Sequence, residues 1–178
     1  PEARGAGRGG AESGGRRALT EAELLCARLF VKDRSNTEIP GGGPAVGLME
    51  EVVREVGPTI VYTRSIHDRH QDHRAVSEAT VVATRRVASV SCYQSPSATI
   101  DYRPTKFVRI ERFLERKLDL LRCFDSQTAS RDYLDPDFVS ATARYWTRFG
   151  GGTAVEPLEV VRESSEPARA FEHHRLET

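Results

Sequence analysis

The feature that most constrains the fold is a five-residue run, TIVYT at 59–63, set between two amphipathic stretches. Consecutive β-branched and aromatic residues suit a strand covered on both faces, as in a parallel sheet. Before it, Val46, Met49, Val53 and Val56 recur on one stripe of a helix from about Ala45 to Val56, closed by Gly57 and Pro58. After it, Ala75, Val76, Ala79, Val82 and Ala83 mark another helix. Strand-like runs return at ASVSCY (88–93), TKFVRI (105–110) and EPLEVV (156–161). A long helix is expected from near Glu111, with Phe113, Leu114, Lys117, Leu118 and Leu121 aligned. A further helix has Asp135 as its cap and Pro136 in its first turn. Phe138, Thr142, Tyr145 and Phe149 follow at helical spacing, read with Trp146 as packing residues, and GGG at 150–152 stops the helix. Strands alternating with helices predict an α/β fold with a mainly parallel sheet.

The remainder of the chain sets boundaries. At 178 residues it fits a single domain. Residues 1–17, Gly/Arg-rich and nearly devoid of apolar side chains, read as disordered or as a loop. Thr20 and Glu23 have capping-box spacing ahead of Leu24, Leu25, Ala27 and Leu29, which predicts a helix, with RLFVKD (28–33) as a short strand. One α/β domain is expected over 18–162, with a polar tail at 163–178. The G-x-G-x-x-G match from Gly5 to Gly10 follows no strand and is discounted as a dinucleotide site.

The formal net charge is zero, so no global field favours nucleic acid or an anionic membrane. No apolar run reaches bilayer-spanning length. Cys26, Cys92 and Cys123 are odd in number and widely spaced, which fits a reducing, cytoplasmic compartment.

IHDRHQDHRAV (66–76) carries three histidines and two aspartates directly after the TIVYT strand. In α/β sheets ligands gather at the C-terminal ends of strands. A neutral imidazole ligates zinc well, and a neighbouring carboxylate fixes its tautomer. In His70-x-Asp72-His73 one histidine can bind metal while Asp72 holds the other, and a held histidine can stabilise an oxyanion. The competing reading is a polar loop that happens to hold histidines. Two histidines do not complete a catalytic zinc site, which takes three protein ligands.

VYTRSIHDRHQDHRAV resembles the second signature, H-x-D-H before a helix, of the PIG-L/LmbE-type N-deacetylases. Downstream, CYQSPSATIDYRPTKFVRI, RKLDLLRCFDSQ and ARYWTRFGGGTAVEPLEVVR resemble later segments of that family in the same order. The resemblance covers roughly residues 16 to 162. It implies a Rossmann-like three-layer α/β fold and zinc-dependent removal of an N-acetyl group from N-acetylglucosamine-type conjugates. It implies His73 as a metal ligand, His70 as the group that stabilises the tetrahedral intermediate, and Asp72 as the carboxylate orienting His70. His67 receives no role. It further implies a small-molecule sugar conjugate as partner, and a possible homo-oligomer. Zinc in such a site polarises the amide carbonyl and acidifies bound water. The family's first signature, H-P-D-D, which supplies further ligands and the general base, does not occur in this sequence. The expectation is therefore a fold without the family's first strand and helix, and a metal site with one half missing. The alternative is a degenerate member that binds a sugar conjugate or a protein without catalysis.

Overall fold

A computed structural model describes residues 41–123 and 132–164, together with 22, 23, 25, 27–30 and 39. The expectations for residues 1–17, for the tail beyond 164 and for Cys26 lie outside the described residues, as do residues 20, 21 and 24 of the helix expected at 20–29; residues 22 and 23 are helical, Leu25 lies in a turn, and residues 27–29 form neither helix nor strand. Of RLFVKD, residues 28–30 form neither helix nor strand, and the rest lies outside.

Helix α1 (Gly43–Val56) ends at Gly57, whose φ of 59° and ψ of 49° place it in the left-handed region where glycine carries no Cβ penalty. Strand β1 (Ile60–Arg64) follows, then helix α2 (Gln71–Ala83), strand β2 (Ser89–Tyr93) and strand β3 (Lys106–Arg109). Helix α3 (Leu114–Arg122) begins three residues later than expected, after a turn at 111–113. A short 3-10 turn (Asp132–Leu134) leads into α4 (Pro136–Tyr145), α5 (Thr147–Gly150) and the long strand β4 (Val155–Glu163). Asp135 caps α4 as expected, its carboxylate accepting from the N–H groups of Asp137 and Phe138 at 2.8 and 3.0 Å.

The sheet is open, in the order β1-β2-β4-β3. β1 pairs with β2 in parallel, while β4 is antiparallel to both β2 and β3. The sheet is therefore mixed, and the expected mainly parallel arrangement is corrected. β1, β2 and β3 share a direction, and β4 alone runs against them. The cause lies in the connection: the helices between β3 and β4 return the chain to the end it left. Ile110 N–H donates to Ala154 O there, at 2.9 Å. Periodicity identifies elements but not whether a connection crosses the sheet. Where β4 meets Val90 and Ser91 the register shifts, leaving Val161 as an extra residue.

The core is built on Val90 and Val155, both fully buried, with Cys92, Leu158, Ala79 and Ala83 around them. Small buried residues on α2 (Ser77, Ala79, Thr80, Ala83) let its backbone approach closely. Two further expectations are corrected. β1 is the edge of the described sheet, and Ile60 and Tyr62 are more than half exposed, so this strand is not covered on both faces. On α4 the buried residues are Val139 and Ala143, whereas Phe138, Tyr145 and Phe149 are more than half exposed. Phe138 and Tyr145 thus face outward, while Trp146 and Phe149 pack against Phe107 as expected, at centroid distances of 6.1 and 5.4 Å. Among the described residues no helix is long and apolar enough to cross a membrane.

Candidate functional site

Two loops meet at the C-terminal ends of the parallel strands β1 and β2. They are zipped by backbone hydrogen bonds: Arg69 N–H to Ser97 O at 3.0 Å and Thr99 N–H to His67 O at 2.9 Å. Arg74 reaches back from α2 to the carbonyls of Asp68 and Arg69, at 2.8 and 2.9 Å.

The centre of this junction is Asp68, whose side chain is wholly buried. Its Oδ1 accepts from His70 N–H at 2.8 Å and from Ser97 Oγ at 2.7 Å. Its Oδ2 accepts from His73 Nδ1 at 2.9 Å and from Ser95 Oγ. Burial pushes the carboxyl's pKa up, but donation from Ser95, Ser97, His70 N–H and His73 outweighs it and holds Asp68 well below the usual carboxylate range. Asp68 is thus an ionised, acceptor-only group.

That state fixes His73. Facing a carboxylate, Nδ1 must carry the hydrogen, so Nε2 of the neutral ring keeps its lone pair. The His73 side chain is 22 % exposed. His70 has the opposite arrangement. As the N-cap of α2 it accepts Asp72 N–H on its own Nδ1 at 3.2 Å, so Nε2 of the neutral ring carries the hydrogen. The two rings stack, with centroids 4.5 Å apart and planes 18° apart. Side by side they offer one Nε2 donor and one Nε2 lone pair.

The structure brings His70, Asp72 and His73 together within one loop and helix start. Asp72 is buried, supplies its N–H to His70, and sits in the first turn of α2, where its charge suits the helix dipole. Sequence reasoning missed Asp68, Ser95 and Ser97. Asp68 was visible in the cluster as a second carboxylate, but its five-residue spacing to His73 matches no helix-face pattern. His67 is exposed and lines a neighbouring cleft of about 580 Å³ with Ile66, Val81, Arg103, Glu159 and Val161, which His70 and His73 do not line.

His73 Nε2, backed by a buried carboxylate, has the chemistry of a ligand. Among the described residues, however, no three His, Cys, Asp or Glu side chains are grouped to hold a metal. The donor set here does not suffice for zinc.

No family model matches the chain. A stretch of 83 residues is 31 % identical to the uncharacterized deacetylase YaiS of Escherichia coli (strain K12), covering 43 % of this chain and 45 % of that protein. Among solved structures, N,N'-diacetylchitobiose deacetylase from Pyrococcus horikoshii superposes with a TM-score of 0.71 at 16 % identity, over 84 % of this chain and 63 % of that one. GalB, the 4-carboxy-2-hydroxymuconate hydratase from Pseudomonas putida KT2440, superposes with a TM-score of 0.71 at 17 % identity, over 89 % and 75 %. The chain thus spans less than two thirds of the curated relative and of the chitobiose deacetylase. It is a mixed α/β protein with the fold of the PIG-L/LmbE-type deacetylases. The likeness is one of fold, and it agrees with the fold that the resemblance of the H-x-D-H loop implies. The hydratase shows that this fold also carries other chemistry.

Proposed function

We propose that the chain is the histidine-bearing part of a zinc-dependent N-deacetylase acting on an N-acetylglucosamine-type conjugate. The observation that carries this reading is the Asp68–His73 pair at 2.9 Å, with His70 stacked beside it. The deacetylase fold supports it. In this reading His73 Nε2 is a metal ligand, and the other ligands come from residues other than those described. His70 Nε2–H donates to the oxyanion that forms when water adds to the amide carbonyl. Such a donor contributes about 10²–10³-fold to turnover. Asp72 fixes the direction of that donor through its N–H, and Asp68 fixes His73. One alternative is a member that binds a sugar conjugate without hydrolysing it, since among the described residues no complete ligand set is grouped.

The test is acetate release from N-acetylglucosamine oligomers with added zinc. Expected is slow turnover by the chain, abolished by chelation and lowered by at least about 10²-fold in His70→Ala. Turnover that survives both treatments refutes the reading. Saccharide binding with no acetate released supports the non-catalytic alternative. Stoichiometric, tightly held zinc that persists in His73→Ala overturns the half-site assignment.

A further inference from the structure

The cleft of about 580 Å³ lies between α2, the later part of β4 and the chain just ahead of β3. Its size falls within the range of small-molecule sites, about 300–1,000 Å³. Glu159 is fixed at its wall: Oε1 accepts Arg103 N–H at 2.7 Å and Oε2 accepts from Ser65 Oγ. Each carboxylate oxygen can accept a second time, so both stay open to a donor in the cleft. The thiol of Cys92, which also borders the cleft, is kept neutral by burial and by the Glu159 charge. The Arg103 guanidinium and the Glu78 carboxylate border the same space, and among the described residues neither side chain has a partner. Since the Arg103 backbone holds Glu159, a cation and an anion start from one point of the wall. The remainder is apolar: Ile66, Val82 and Val161 border the cleft and are each more than two-fifths exposed. Val161 is the extra residue of the β4 bulge. Successive strand residues point to opposite faces, and the bulge lets Val160 and Val161 both border this cleft. Bulges gather beside functional sites because they re-aim a side chain in this way.

We propose that this cleft binds a free α-amino acid with a branched apolar side chain. The ammonium group donates to Glu159, the carboxylate accepts from Arg103, and the side chain lies against Ile66, Val82 and Val161. In such a zwitterion both charges and the apolar group branch from a single carbon. That matches a wall where Glu159 and Arg103 start together and apolar residues continue. A simple amine would leave Arg103 unpaired, and a simple carboxylate would leave Glu159 and Glu78 without a cation. His67 borders the cleft, whereas His70 and His73 do not. The site therefore stands apart from the deacetylase reading, and either can fail alone.

The experiment titrates the full chain with L-leucine and follows the imidazole resonances, His67 being assigned by the signal lost in His67→Gln. Expected is a saturable shift of His67, with His70 and His73 unmoved. Leucinamide, which lacks the carboxylate, and 4-methylpentanoate, which lacks the ammonium group, should each bind about tenfold more weakly, the worth of a hydrogen bond to a charged partner. Glycine, which lacks the side chain, should bind at least about tenfold more weakly. Arg103→Gln should weaken leucine about tenfold and leave leucinamide unchanged, and Arg103→Lys should restore leucine binding. Glu159→Gln, with its fold checked by circular dichroism, should weaken leucine and leave 4-methylpentanoate unchanged. Leucinamide or 4-methylpentanoate binding as tightly as leucine overturns the assignment. Shifts of His70 and His73 with none at His67 place the ligand at the histidine junction and also overturn it, as does a His67 signal that leucine does not move.

Discussion

Replacing Asp68 by asparagine tests the logic of the site through a proton position. Each carboxylate oxygen accepts twice, Oδ1 from His70 N–H and Ser97, Oδ2 from His73 and Ser95. An amide keeps an acceptor on one side only. The backbone N–H of His70 cannot reverse, so the amide oxygen stays on that side and the NH2 faces His73 and Ser95. Ser95 can rotate its hydroxyl and accept. His73 can answer only by moving its hydrogen, so Nδ1 becomes the acceptor and Nε2 becomes N–H. Four charge-assisted hydrogen bonds become neutral ones, at about 1 kcal/mol each. Relief from burying a charge offsets part of that loss, leaving a net destabilisation of about 2 kcal/mol. Urea unfolding measures this, and long-range 15N–1H correlation of the imidazole nitrogens reads the tautomer. If His73 retains its Nδ1–H in Asp68→Asn, the carboxylate does not set the tautomer and the argument fails.

Three other outcomes follow from the packing. Tyr102 donates its buried hydroxyl to the carbonyls of Cys92 and Pro157, at 3.1 and 2.8 Å. Tyr102→Phe should therefore lower stability by about 1–2 kcal/mol in denaturant titrations, and an unchanged midpoint would refute this. Burial, helped by the charge of Glu159, pushes the Cys92 thiol up to about 11. At pH 8 only about one molecule in a thousand holds the thiolate, so iodoacetamide should label Cys123 before Cys92, and Cys92 only on unfolding. Equal labelling rates by mass spectrometry would contradict that. A Cβ on Gly150 would lie 2.9 Å from Phe107 Cβ and 3.1 Å from both Val155 methyls. Gly150→Ala should cost about 1–3 kcal/mol, seen as a lowered Tm.

Much of this fold is legible in the sequence because its elements are bounded by chemistry. TIVYT gives β1 within one residue, Gly57-Pro58 stops α1, and Asp135-Pro136 starts α4. The direction of β4 is not legible, since strand pairing is decided by where the preceding helices deliver the chain. The orientation of α4 is misread because aromatic residues outweigh Val139 and Ala143 in any hydrophobic pattern, although the small pair is what fits against the sheet. In the site, His70 and His73 stand out by composition. Asp68, Ser95 and Ser97 do not, because their meeting depends on two loops 27 to 29 residues apart in sequence.

The latch between those loops also governs how the chain tolerates change in length. Arg69 and Thr99 bond across it in opposite senses, and Asp68 bridges to Ala98. One residue added to either loop would slide every rung by a step and separate the carboxylate from its serines.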